Sequence, residues 1–169
     1  MSVSIYDFSI PVFTRMLTNL SGLIDKATAY AETRKFDSKV LLEVRLFPDM
    51  LPFAKQVQIA CDNAKGAAAR LAGIEAPKHE DNEGTMAELK ARIAKTLAFL
   101  QTIKPEQLQG AETRQITVPM RTGPLHFAGL AYLTGFALPN VYFHVTTAYA
   151  LLRHNGVEVG KGDFLGSLK

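Results

Sequence analysis

The chain has 169 residues and a mass of 18.5 kDa, the size of one domain spanning 1–169. Its 47% apolar and 21% charged residues supply a sizeable core and exclude a disordered chain. Lys and Arg number 19 against 16 Asp and Glu, leaving +3. Acidic Glu75, Glu80, Asp81, Glu83 and Glu88 are interleaved with Lys78, Lys90 and Arg92, so no basic stripe forms and nucleic acid is not an expected partner. The single cysteine, Cys61, excludes a disulfide framework and a Cys-based zinc knuckle.

Met1–Asp7 carries no basic segment followed by an apolar one, so no secretory signal is read there and a cytoplasmic protein is expected. Steps of three and four among Phe8, Val12, Met16, Leu20, Leu23 and Ile24 predict a first helix over 3–31, with Pro11 in its early turns. Asp37 suits the N-cap of a second helix, whose apolar stripe runs from Val40 through Phe47 and Phe53 to Leu71 and stops at Gly73. Pro48 and Pro52 each remove a helical donor, so they must kink or split that helix.

The polar segment 73–84 reads as a loop. Thr85 and Glu88 form a capping box ahead of a third helix striped by Leu89, Ile93, Leu97 and Leu100. Pro105 opens a short turn. Over 114–127 the period changes: Ile116 and Val118 alternate with polar residues, Arg121–Pro124 is a turn, and Leu125–Phe127 can pair back as a hairpin. A fourth helix is predicted over Ala128–His154, kinked near Pro139 and closed by Asn155-Gly156. Residues 122–152 contain no Lys, Arg, Asp or Glu. Pro139, Asn140 and His144 sit where a spanning helix would be deepest in hydrocarbon, so a buried helix is expected rather than a membrane span. Four helices with one hairpin before the last make an all-α bundle.

Leu138-Pro-Asn-Val-Tyr-Phe-His144 through Gly156, followed by Gly160-Lys-Gly-Asp-Phe-Leu-Gly166, closely resembles an uncharacterised family of mainly bacterial and fungal proteins. Leu46–Met50, Gln56–Asp62 and Tyr6-Asp-Phe…Pro11 resemble the same family. That family is placed in the DinB/YfiT-like superfamily, which implies a DinB-like four-helix bundle. Better-known members bind a divalent metal through one His on the second helix and a His-x-x-x-His pair on the last. The resemblance places His144 as the second His of that pair. Its partner position holds Asn140, and the second helix has no His; Asp49, with Gln56 beyond it, is the nearest polar residue. The implied metal set is His144, Asp49 and Asn140, a mixture better suited to hard cations than to zinc or nickel.

Each candidate also has an ordinary structural use. Asn140 can satisfy a backbone group freed at Pro139, Asp49 can cap the helix restarting after Pro48, and His144 can be a hydrogen-bonded core residue. Tyr142 joins Asp49, Asn140 and His144 as a candidate ligand contact, although Tyr6, Tyr142 and Tyr149 at helical spacing also suit a core. Gly156–Gly162 falls short of the phosphate-loop spacing and lacks a Ser or Thr after Lys161. His79 and His126 are placed on the surface, His154 at a helix C-terminus, and Cys61 on an apolar stripe.

Two functions follow. One is a small-ligand-binding or interaction protein with a degenerate metal site around His144 and no retained cofactor. The other is a divalent-metal-dependent transferase or hydrolase, thiol transferase-like, using an Asp/Asn/His site. The charge-free last helix and the tail Val157–Leu168 point to a homodimer. For a shared first shell, Asp49, Asn140 and His144 must converge on one atom.

Overall fold

The structure, a computed structural model, describes residues 4–167. Helix α1 spans Ile10–Arg34, α2 Phe53–Ala72, α3 Met86–Thr102, α4 Gly129–Tyr132, α5 Leu138–His154 and α6 Lys161–Leu165. Strand β1 is Gln115–Val118 and β2 is Leu125–Ala128. Helices α1 and α2 each pack on both α3 and α5, so α3 and α5 stand across the bundle from one another. Phe13, Leu17, Leu20, Val57, Cys61, Leu89, Ile93, Val141 and Val145 belong to one continuous buried cluster at its centre. Among the described residues no helix is long and apolar enough to cross a membrane.

The first helix begins later than predicted. Residues 5–9 are turns, Pro11 falls in the first helical turn, and Phe8 is exposed outside the helix. Val3, where the prediction begins, lies outside the described residues. The second predicted helix is split, not kinked. Asp37 Oδ1 accepts from Lys39 N at 2.9 Å and caps a 3-10 turn over Ser38–Glu43. Extended chain and turns follow, and α2 starts only after Pro52. Val40 and Phe47, predicted in the stripe, are 59% and 64% exposed. Two prolines four residues apart each deny a helical N–H and force the residue before them out of the α region, so no helix survives between them.

Thr85 Oγ1 accepts from Glu88 N at 3.2 Å, and the Glu88 carboxylate reaches back to Gly84 N at 2.7 Å. The hairpin pairs antiparallel, Ile116 with Phe127 and Thr117 with His126. Gly129 joins it to the last helix, and a Cβ there would stand 1.8 Å from Ala111 O. Helices α4 and α5 are one rod interrupted by a π turn at Leu133–Ala137, with helical dihedrals on both sides. The break expected near Pro139 takes this form because the wider turn accommodates a residue that cannot donate. Helix α6 was not expected. Val157 N bonds Leu152 O, Gly156 takes φ +87°, and the chain then turns back over α1.

Candidate functional site around His144

His144 lies on α5, half-buried, facing α2. Its Nδ1 is 2.7 Å from Gln56 Oε1. Gln56 is only 2% exposed, and its Nε2 donates to Leu51 O at 3.0 Å. A backbone carbonyl can only accept, so that second bond fixes which end of the Gln56 amide faces Leu51. The carbonyl end must face His144, where it too can only accept. The proton therefore sits on Nδ1, and Nε2 carries the lone pair. Nε2 has no partner among the described residues and is not enclosed. Burial holds the His144 pKa below its ordinary value, which keeps the ring neutral. The Phe143 ring meets it edge-on at 5.2 Å and is itself 57% exposed.

The other candidates do not join this bond. Asn140 Nδ2 donates to Phe136 O at 2.7 Å, satisfying a carbonyl of its own helix beside the π turn. Asp49 is exposed in the segment before α2 and makes no hydrogen bond or ion pair with a described residue. Tyr142 lines a groove shared with α1 and α6, which His144 does not line. The α2-side partner of His144 is thus Gln56, where Asp49 was expected. Among the described residues no three His, Cys, Asp or Glu side chains gather as a metal set. One imidazole lone pair and the Oδ1 of Asn140, whose Nδ2 alone is engaged, are not the three-His set of the superfamily, and the side chains present do not fit its metal.

A second polar cluster was missed in the sequence. Arg92, 2% exposed on α3, pairs with Asp62 at 2.8 Å, Asp81 at 2.9 Å and Glu83 at 3.0 Å, and donates to Glu80 O. Burial would raise the Glu83 carboxyl, but hydrogen bonds from Arg92 and Gln58 hold it below the usual range. The readable signal is position: Arg92 sits three residues after Leu89 and four before Thr96, on the helix's buried face. The cluster clamps the 73–84 loop onto α2 and α3. His79, expected on the surface, is half-buried there, its pKa lowered by burial and by the Lys65 and Arg92 cations. Cys61 is fully buried and its thiol is pushed up to about 12 by burial, which makes it an inert apolar packing group.

Residues 5–165 match the model of a family described as a domain of unknown function, DUF1993. The chain belongs to that family. The DUF1993 chain is also similar to a solved structure, the crystal structure of a DinB family member protein from Shewanella denitrificans. The two share 48% identity and a TM-score of 0.91, over 96% of this chain and 92% of that one. The DUF1993 fold here is accordingly DinB-like, as the residues around His144 suggested. No curated protein matches the chain.

Proposed function

We propose that this protein is a small-ligand-binding DinB-like bundle, folded as one domain, whose metal site has degenerated to a Gln56–His144 pair. The observation that carries this is the double bond of Gln56, to Leu51 O and to His144 Nδ1. It spends the α2-side polar group on holding the imidazole and leaves one neutral acceptor, Nε2, at the surface. One such acceptor suits a guest bringing an O–H or N–H donor, with exposed Phe143 beside it to cover an apolar part. Asp49 and Asn140 remain candidate contacts for a larger guest, whereas Tyr142, also a candidate from the sequence, belongs to the groove shared with α1 and α6. The transferase or hydrolase alternative rests on the superfamily alone.

Elemental analysis of untagged protein tests this reading. Substoichiometric divalent metal, unchanged by His144→Ala, is expected. One equivalent of metal that His144→Ala abolishes would replace the reading with a metal centre.

A homodimer belongs to the same proposal. Leu130 stands exposed on the charge-free last helix, which supports a second copy as its cover. Sedimentation at micromolar concentration would show a monomer–dimer equilibrium; a concentration-independent monomer would contradict it. A cytoplasmic location belongs to the same proposal and is supported by Cys61 being a free, buried thiol.

A further inference from the structure

The Gly160–Gly166 segment plays no part at His144. Helix α6, which it forms, lies across the groove between α1 and α5. Asn19 Nδ2 on α1 donates to Phe164 O at 2.8 Å, Lys26 pairs with Asp163 at 2.7 Å, and the Tyr149 ring on α5 meets Phe164 edge-on at 6.3 Å. Asp163 Oδ2 accepts from Gly160 N, closing the segment on itself. Gly166 leaves it at φ +72°, where a Cβ would stand 2.3 Å from Asn19 Oδ1. Five residues with no fully buried side chain are therefore held in one place by contacts at both ends.

The strap borders an open groove of about 460 Å³ lined by Val12, Arg15, Met16, Tyr142, Phe164 and Leu165. The size falls within the range of small-molecule sites, roughly 300–1,000 Å³. Four of the six walls are apolar. The other two, the Arg15 guanidinium and the Tyr142 hydroxyl, are both donors at neutral pH. Arg15 makes no ion pair or hydrogen bond with a described residue, and no carboxylate lines the groove. This contrasts with Arg92, whose charge three acids answer. An open apolar groove with one exposed, unpaired cation and one further donor is the complement of a carboxylate on an apolar body. Arg15 matches a carboxylate's paired oxygens, the hydroxyl adds a third bond, and Val12, Met16 and Phe164 take the chain or ring.

The geometry points to a binding site for a small amphipathic carboxylate between α1, α5 and the α6 strap, with Arg15 as its charge partner. This site is separate from His144 and names a ligand class which the reading of that residue does not.

Calorimetry with octanoate, octanol and octylamine tests it on the intact protein. Octanoate binds with one-to-one stoichiometry, octanol more weakly, and octylamine not at all. Arg15→Gln, at an exposed position, leaves folding intact and weakens octanoate about tenfold, to the level of octanol. Tyr142→Phe weakens it several-fold, and His144→Ala leaves it unchanged, so failure here and failure of the His144 reading are separable. Equal affinity for octanol and octanoate would overturn the proposal, as would octanoate binding that Arg15→Gln leaves untouched. So would absence of octanoate binding, and a dimer that Leu165→Asp dissolves would then make this face an interface between copies.

Discussion

Gln56 Oε1 and His144 Nδ1 meet at 2.7 Å and tie α2 to α5, the two helices that pack most extensively. The bond holds His144 as an oriented, neutral imidazole with Nε2 free. Replacing Gln56 separates its structural and electrostatic parts. Gln56→Leu leaves the Nδ1–H without its acceptor and costs about 1–3 kcal/mol, read by urea denaturation. Gln56→Glu puts a carboxylate against the ring and raises the His144 pKa, read by proton NMR titration. An unchanged His144 pKa in Gln56→Glu would contradict the pairing.

Stability should fall with acid in a defined window. The His144 pKa is lowered in the folded protein by burial, so between that value and about 6.5 the unfolded chain binds the proton and the folded chain does not. The stability contributed by neutral His144 is therefore full above about 6.5 and is lost as pH falls through the folded value. His79 is shifted the same way and adds to the slope. His144→Gln is expected to flatten the stability profile below about pH 6.5. A slope identical to the native one would show that His144 is not held neutral.

Arg92→Met removes one cation from three carboxylates, of which Glu83 is the most buried. Uncompensated buried charge of this kind costs about 3–5 kcal/mol when one partner is removed, so the upper half of that range is not expected with Asp62 and Asp81 partly solvated. Limited proteolysis is expected to cut within 73–84 in the variant and not in the native protein.

Two glycines on helical segments give opposite outcomes. Gly129→Ala drives a methyl into Ala111 O, which is backbone and cannot swing aside, so it destabilises by at least about 2 kcal/mol. Gly22→Ala on α1 meets nothing within 4 Å and stabilises by about 0.5–1 kcal/mol. Thermal melts of the pair check both signs.

The parts of this fold that could be read ahead were those fixed by short-range chemistry. Thr85 with Glu88, the alternation at Ile116 and Val118, and the stripe of α3 each decide their conformation within a few residues. The segment 38–52 misled because Val40, Phe47 and Met50 keep a helical spacing that Pro48 and Pro52 forbid the backbone to use. Helix α6 was invisible because its place depends on Asn19 and Lys26, over a hundred residues earlier. His144 was singled out by the family resemblance of the last helix. Its partner was not: Asp49 and Gln56 both lie near the start of α2, and only the Gln56 bond to Leu51 O shows which one turns inward.

The most direct test is the tautomer of His144, read from its ring nitrogens by nitrogen-15 NMR at neutral pH in untagged protein as purified and again after one equivalent of zinc. The Gln56 geometry requires a neutral ring with the proton on Nδ1 and a free pyridine-like Nε2 in the protein as purified, and added zinc shifts Nε2 alone while the Nδ1 proton stays on Gln56 Oε1. A proton on Nε2, or an Nε2 signal already shifted by a bound metal, would contradict it.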